Sequence, residues 1–530
     1  MRCLENQKGT GVKYSMTVAF ALAVTASSAV IASAASASKL RVVLTADIRS
    51  SNPGVNRDDN TDSVILNVVE GLVGFGEGGD VRPLLAKTVS RSDDGLTYTF
   101  VLRDGVKFHN GASLTSADVL WSWQRYMDPK TEWRCLPELD GRNGLQVVSA
   151  EAPDPLTFVM KINRPSALFL DTLARTDCGM TGIVHQGSVK ADGSWDKPIG
   201  TGPYAFSDWK RGRSVTLTRF KDYKSPEGAT ADGYVGKKEP HVDAVELQVI
   251  PDPATIKLAV ASHSIDVAQI ASTDVAELKT TPGIATLTSP DSSRHVILFR
   301  TEDPVLSDVK FRQAVAAALD YKQLVDIAGD GLSVPNNSAV FTGSVYFDDV
   351  QKRGIETNLD KARKLLSESG YKGQPIKLIA NKRSPMPSFQ VALVAQAMLQ
   401  AIGVKVEIEV LEWATQLDRY NTGKYQMMSF SYSARLDPAL GYEQFAGDKT
   451  KQPRKVWDNP KALELLEQSR AVSDVQERRA LFDTLHGMML NDVPLIVLYN
   501  GLTVWAHGNN VNGFTPWEGK MRLWNVELAQ

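Results

Sequence analysis

The stretch LLAKTVSRSDDGLTYTFVLRDGVKFHNGASLTSADVLWSWQRYMDP (84–129) holds a turn, a strand and a helix start in close succession. Asp94-Gly95 is a turn signal, and TYTFVL (97–102) is rich in the residues that favour strands. Thr115, followed three residues later by Asp118, predicts a capping box at the start of the next helix. The stretch therefore predicts short strands and helices that follow one another closely.

The rest of the chain continues this alternation. FRQAVAAALD (311–320) places its apolar residues on one helical face. IKLIA (376–380) and VKVEIEV (404–410) are predicted strands, separated by a long helix that Ser388 is expected to cap. This order predicts a parallel strand pair joined by a crossover helix. PLIVLY (494–499) is expected to be a buried strand, so the fold class is α/β with mixed sheets.

The N-terminus has the pattern of a secretory signal. Residues 1–37 begin with basic residues, continue with an uncharged Ala/Val/Leu-rich run from Met16 to Ala32, and end in small residues. Ala35 and Ala37 suit signal peptidase cleavage before Ser38. We therefore expect export, with a soluble mature chain. A membrane anchor is the alternative, disfavoured by the Ala, Ser and Thr content of the segment.

Charge and cysteine content exclude several classes of protein. The 530 residues carry a formal net charge of −2, which becomes −4 without residues 1–37, so nucleic-acid binding has little support. With 3 Cys in all, a multi-cysteine metal cluster is excluded, and we predict no metal and no cofactor. Cys135 and Cys178 remain after processing. They are expected to form a disulfide in an oxidising compartment, the alternative being two buried free thiols.

No catalytic motif is apparent. GFGEGG (74–79) satisfies the G-x-G-x-x-G pattern, but Pro83 follows closely where a helix should begin, so a chain reversal is favoured over a dinucleotide site. The seven His are dispersed and form no short-spaced ligand pair. Esterase, zinc-protease, P-loop and C-x-x-C patterns are also missing from the sequence. These observations favour a binding protein over an enzyme.

The stretch quoted above closely resembles the signature of bacterial extracellular solute-binding proteins of family 5, the peptide/nickel/opine-type receptors of ABC importers. Further resemblances follow in the same order along the chain: PIGTGPYAFSDWKRGRSVTLTRFKDY (198–223), VKFRQAVAAALDYKQLV (309–325), KARKLLSESGY (361–371) and DNPKALELLEQSRAVSDVQERRALFDTLHGMMLNDVPLIVLY (458–499). The resemblance covers essentially the whole mature chain.

The resemblance implies a two-lobed periplasmic-binding-protein fold with an extra subdomain and a hinge between the lobes. The ligand would lie in the cleft and be buried by hinge bending. The expected segments are lobe I at 39–80, 200–292 and 490–530, the subdomain at 81–199, and lobe II at 293–489.

The resemblance also indicates which residues would face a ligand. Dipeptide receptors hold the ligand's amino group with an aspartate at the position where this chain has Ala434, next to Arg435. Asp437 could meet an amine instead. A carboxylate-binding arginine is matched by Arg383, with Lys382 the alternative if the register differs by one. A two-arginine cleft favours a carboxylate or phosphate on the ligand.

Aromatic walls are the third element expected of the cleft. Trp413 is expected at the end of the strand after the long helix, while Tyr432 and Tyr442 flank Ala434–Pro438. Each of these aromatic residues could instead belong to the core.

The resulting prediction is a periplasmic, monomeric receptor without enzymatic activity. It would capture a peptide or an acidic, opine-like solute and deliver it to an ABC permease and ATPase at the inner membrane. The alternative is an exported hydrolase or assembly factor without a local catalytic motif.

Overall fold

The computed structural model describes residues 37–56, 58–383 and 386–529, together with Gly11 and Lys13. Ser38–Gln530 form one compact unit, and the architecture below is that of this unit. The predicted signal segment, residues 1–37, lies almost entirely outside the described residues.

A mixed sheet of ten strands organises the unit. In spatial order its strands are Val406–Val410, Ile376–Ala380, Met427–Tyr432, Ile284–Phe299, Leu495–Gly508, Val267–Ile270, Lys39–Leu44, Ala244–Val249, Ser214–Arg219 and Tyr204–Lys210. Ile376–Ala380 pairs in parallel with Val406–Val410 across the crossover helix Ser388–Gln400, which confirms the predicted unit. The α/β class with mixed sheets is likewise confirmed.

The quoted stretch supplies two strands and the packed helix of a separate antiparallel sheet of four strands. Its strands, in spatial order, are Ala86–Arg91, Thr97–Leu102, Thr157–Ile162 and Val147–Asp154. The helix Ser116–Met127 begins after Thr115, whose backbone N–H donates to the Asp118 carboxylate at 2.9 Å. GFGEGG forms the reversal between the paired strands Val73–Phe75 and Val81–Pro83, as predicted.

Two long central strands, Ile284–Phe299 and Leu495–Gly508, run antiparallel to each other through the large sheet. Their pairing is interrupted between Pro290 and Arg294. On one side of this interruption Ile284 and Val504 join a core with Ile256 and Val260. On the other side the two strands enter the cores of the 296–499 region, where Ile297 packs with Leu498. We call these the hinge strands, because they pass from one set of cores to the other.

The largest core combines the four-stranded sheet with residues from 40–75, 204–267 and 505–526. Two further cores draw on residues 296–499. This partition supports the two-lobed fold with its extra subdomain, whereas the exact predicted boundaries stay a proposal.

Helices cover the faces of both sheets. They are Asp59–Ile65, Ser116–Met127, Leu136–Leu139, Phe169–Ala174, Pro253–Ala261, Val275–Leu278, Val309–Ala318, Tyr321–Ala328, Leu359–Ser367, Ser388–Gln400, Trp413–Thr422, Pro438–Glu443, Pro460–Ala471 and Val475–Asp492. Among the described residues, none of these helices is both long and apolar enough to cross a bilayer.

The expected cap at Ser388 is wrong. Ser388 is the first helical residue after Pro387, and its hydroxyl donates to the Ser429 carbonyl at 2.8 Å. The hydroxyl ties the helix to the neighbouring strand, and its oxygen accepts from the Asn381 N–H at 3.2 Å, so it does not cap the helix.

Candidate ligand-binding cleft

The loop after Met427–Tyr432 carries the predicted anion-binding residue. Arg435 is half-buried, and its guanidinium donates to the Ala434 carbonyl at 2.7 Å and to the Ser433 hydroxyl at 3.3 Å. Ala434 itself is exposed. The loop thus offers a guanidinium and two small residues, with no carboxylate at position 434.

Arg435 acts across the cleft on Asp177, which belongs to the predicted subdomain. Burial opposes ionisation of Asp177, but a hydrogen bond from Arg175 and the charges of Arg175, Arg134 and Arg435 lower its pKa to about 2. Arg435 is therefore within electrostatic range of the opposite lobe. That position suits a group that meets a ligand between the lobes.

The two predicted lobes touch at several points around this loop. The Val345 N–H donates to the Gly78 carbonyl at 2.9 Å, and the Ala167 N–H donates to the Arg470 carbonyl at 2.7 Å. The charge of Asp437 also reaches Asp171 of the predicted subdomain: burial and this negative charge raise the pKa of Asp171 to about 7. The predicted lobes are therefore in direct contact at these points.

Asp437 has a partner within lobe II. Its carboxylate accepts two hydrogen bonds from Arg478, at 2.7 and 2.9 Å, and both side chains are buried. One of its oxygens also accepts from the Ala439 N–H at 2.8 Å and caps the helix Pro438–Glu443. With these partners the carboxylate fixes the base of the loop.

Arg383 and Trp413 come together as a pair. The Arg383 guanidinium lies 5.4 Å from the centroid of the Trp413 ring, which is a cation–π arrangement. Trp413 is partly exposed and stacks on Phe430 with a centroid separation of 5.8 Å. It begins the helix Trp413–Thr422, so its expected place at a strand end is wrong. Lys382, the alternative to Arg383, lies over the ring of Phe389 at 4.4 Å.

Tyr432 and Tyr442 are buried in one hydrophobic core with Phe445. Their hydroxyls have no hydrogen-bond partner within the described part of the chain. The guanidinium of Arg294 lies near both rings, and burial lowers the pKa of Arg294 to about 10. The two tyrosines therefore pack in the core behind the loop that carries Arg435.

A disulfide joins Cys135 to Cys178, with Cα atoms 5.5 Å apart, inside the normal range for such bonds. Among the described residues, the one group of three potential metal ligands is Cys135, Asp177 and Cys178. Because both sulfurs are oxidised, this group offers no thiolate to a metal ion.

Several charged residues near the cleft were missed at the sequence level. Arg294 and Arg478 lie in a strand and a helix, where no local signal distinguishes them from surface residues. Only the fold brings these groups together, so an apolar-periodicity analysis could not have found them.

Comparisons with known proteins agree with this architecture. The family described as "Bacterial extracellular solute-binding proteins, family 5 Middle" matches residues 80–453. Oligopeptide-binding protein OppA of Bacillus subtilis (strain 168) is 24% identical over 511 residues, covering 90% of each chain. Di/tripeptide-binding protein 2 of Pseudomonas aeruginosa (strain UCBPP-PA14) is 27% identical over 84% of this chain and 86% of the relative.

Solved structures give the same result. HbpA2 from Haemophilus parasuis superposes with a TM-score of 0.80 at 24% identity, covering 93% of this chain and 100% of that one. The binding protein AgaA in complex with agropinic acid, from A. tumefaciens R10, has a TM-score of 0.67 at 26% identity, covering 93% and 99%. The chain therefore belongs to the bacterial extracellular solute-binding proteins of family 5.

Proposed function

We propose that this protein is the exported solute receptor of an ABC importer. The observation that carries the proposal is the match to family 5 over residues 80–453, on a chain whose cores are joined by the hinge strands. Two lobes joined by adjacent strands can bend without losing their cores. A membrane permease can then distinguish the closed, liganded state from the open one.

The solute proposed is small and bears a carboxylate or phosphate. Arg435 supports this class because a guanidinium can bond such groups with two parallel hydrogen bonds. The Arg383–Trp413 pair adds a second cation beside an aromatic surface. Named relatives include proteins for oligopeptides, di- and tripeptides and glutathione, and one solved neighbour holds agropinic acid. Peptides and opine-like conjugates are therefore the leading candidates.

Direct ligand contact is proposed for Arg435, Arg383 and Trp413. Asp437 is proposed to act through the loop that it caps, and Tyr432 and Tyr442 through the packing behind that loop. We propose a periplasmic location after removal of residues 1–37, and a monomer that docks on a permease and its ATPase.

A thermal-shift screen of the mature chain tests the proposal. The panel comprises di- and tripeptides, opines, sugar phosphates and simple dicarboxylates, each also incubated with the protein and assayed for products. A receptor should be stabilised by one solute class and leave that solute chemically unchanged. Product formation would instead identify an exported hydrolase. Stabilisation by none of the compounds would count against a receptor for this solute class.

A further inference from the structure

A buried arginine lies behind the loop that carries Arg435. Arg294 pairs with Tyr432 where the hinge strand Ile284–Phe299 runs beside the strand Met427–Tyr432. Its side chain is almost completely buried, with 1% exposed. A guanidinium buried to this extent normally forms an ion pair with a carboxylate, because a buried charge is costly to leave uncompensated.

The acceptors around Arg294 are all neutral. Its guanidinium donates to the Ala339 carbonyl at 2.7 Å and to the side-chain oxygen of Gln444, and the Gly441 carbonyl lies 3.5 Å away. Its Nε is buried without a partner in the part of the chain that the structure describes. No carboxylate in the described ranges forms an ion pair with this guanidinium. Its positive charge therefore lacks a counter-ion among those residues.

Arg294 keeps its charge at neutral pH. Burial, together with the positive charge of Arg435, lowers its pKa to about 10, which is still well above neutral pH. The phenols of Tyr432 and Tyr442 cannot supply a negative charge, because burial raises the pKa of both. Asp177, the acid on which Arg435 acts, is already bonded by two other arginines. A permanent cation in this place favours an anion at the adjacent loop, since charges interact more strongly away from bulk water.

Hydrogen bonds connect Arg294 to Arg435. The side-chain oxygen of Gln444 accepts from Arg294, so the amide nitrogen of Gln444 is left for the loop. That nitrogen donates to the Ser433 carbonyl at 2.9 Å and to the Ser433 hydroxyl oxygen at 3.4 Å. The Arg435 guanidinium donates to the same hydroxyl oxygen at 3.3 Å. Arg294 thus fixes the orientation of the Gln444 amide, because the reverse orientation would set two donors against each other.

This arrangement leaves Ser433 with a donor for a solute. Ser433 is exposed, and its hydroxyl oxygen accepts from both Gln444 and Arg435. A hydroxyl also carries one proton that it can donate. No acceptor for this proton lies within the described residues. The Ser433 hydroxyl and the Arg435 guanidinium can therefore bond one carboxylate or phosphate together.

We propose that Arg294 determines the anion preference of the site. Through Gln444 it positions Ser433 and Arg435, and the negative charge of the bound solute balances its uncompensated charge. Arg294 is in this sense a positioning residue, since it acts from inside the core and does not touch the solute. The inference rests on the proposed receptor function and adds to it the residue that makes an anionic solute preferred over a neutral one.

Gln444→Glu tests this proposal while keeping the shape of the side chain. A carboxylate at position 444 gives Arg294 a counter-ion and removes the N–H donor to Ser433. Arg294→Met removes the charge and keeps a long, unbranched side chain. Gln452→Glu is the matched control, because Gln452 also accepts from an arginine, Arg454, at 2.9 Å, but is exposed.

Each variant of the mature chain is titrated by calorimetry with paired solutes that differ in negative charge. The pairs are glutarate and glutaramide, di-alanine and di-alanine amide, and glucose 6-phosphate and glucose. We expect wild type and Gln452→Glu to bind the anionic member of at least one pair about tenfold more tightly than its neutral partner. Gln444→Glu and Arg294→Met should lose this preference. In urea, Gln444→Glu should unfold at the same or a higher concentration than wild type, because its buried charge is paired.

An unchanged preference for the anion in Gln444→Glu would overturn the proposal. So would a Gln444→Glu protein that unfolds at lower urea concentration or fails to fold, because Arg294 would then not lack a counter-ion. Loss of the preference in Gln452→Glu as well would identify a general effect of added charge and would also overturn it. If Arg294→Met fails to fold, Gln444→Glu still decides the question.

The same titrations separate this inference from the receptor function. If neutral solutes bind the wild type and their anionic partners do not, the receptor function stands and the role of Arg294 is refuted. If no solute of this panel or of the thermal-shift screen binds, both proposals fail.

Discussion

Arg478 holds both carboxylate oxygens of Asp437, with N–O distances of 2.7 and 2.9 Å, in a pair that is almost fully buried. Arg478 also donates to the Tyr346 hydroxyl at 2.8 Å. The pair joins the helix Val475–Asp492 to the loop that carries Arg435. It therefore sets where Arg435, the proposed anion-binding residue, lies.

Arg478→Ala should strongly destabilise the fold. The substitution leaves the Asp437 carboxylate buried without its partner, and breaking a buried pair in this way costs about 3–5 kcal/mol. Urea unfolding followed by circular dichroism measures the loss. Arg363→Ala, which removes an exposed arginine from lobe II, should change stability by less than about 0.5 kcal/mol. A loss below about 1 kcal/mol for Arg478→Ala would show that the pair contributes little.

Arg435→Ala should weaken solute binding with little effect on the fold. Loss of a hydrogen bond to a charged group costs about 1.5–3 kcal/mol, or roughly ten- to 150-fold in affinity. Arg435→Lys should recover only part of the lost affinity, because an ammonium lacks the planar pair of N–H donors that binds a carboxylate bidentately. Calorimetry on the solute found by the screen measures both variants. An unchanged affinity for Arg435→Ala would remove Arg435 from the site.

Reduction of Cys135–Cys178 should lower stability. The bond closes a loop with a sequence separation of 43 residues, for which the chain-entropy estimate is about 4 kcal/mol. Peptide mapping without reductant should recover the two cysteines in one cross-linked species. The double variant Cys135→Ser/Cys178→Ser should unfold at lower urea concentration, with no further effect of reductant. Free thiols in the mapped protein would contradict the bond.

Acid should destabilise the protein through buried histidines. Burial lowers the pKa of His109 and His295 to about 4, below the 6.5 of an exposed imidazole. The unfolded chain therefore binds more protons between pH 6.5 and 4, so the stability that these groups contribute is complete above pH 6.5 and is lost as the pH falls towards 4.

His295→Gln should reduce this acid-dependent loss, since the neutral amide can still bond the Ser431 hydroxyl that His295 contacts at 2.7 Å. The measurement is the melting temperature from pH 4 to 7. His241→Gln, at a partly exposed imidazole beside the carboxylates of Glu239 and Glu527, serves as control and should not reduce the acid-dependent loss. Parallel profiles for wild type and His295→Gln would contradict a neutral, buried His295.

Local patterns predicted the elements but not the hinge. The strands Thr97–Leu102 and Ile376–Ala380 were predicted at their observed bounds, because their composition and flanking turns are local signals. Ile284–Phe299 was not predicted as one strand, because Pro290 and Asp291 in its middle are typical of a loop. The neighbouring strand Leu495–Gly508 pairs with Ile284–Phe299 on both sides of the interruption and keeps it extended. A local sequence pattern cannot detect a partner so distant in the chain.

The candidate site was predicted only in part for the same reason. Arg435 follows from its position beside Ala434. In contrast, the partner that engages Asp437 lies 41 residues further along the chain. Charge pairing over such separations depends on tertiary packing, so the fold has to be known first.

A solute receptor captures its ligand reversibly, with no change in the ligand's bonds. Equilibrium dialysis of the mature chain against the solute that stabilises it most, followed by mass spectrometry of the released solute, tests for this behaviour. We expect one solute bound per chain, recovered with its mass unchanged. Recovery of the solute with an altered mass, in amounts that exceed the protein, would contradict it.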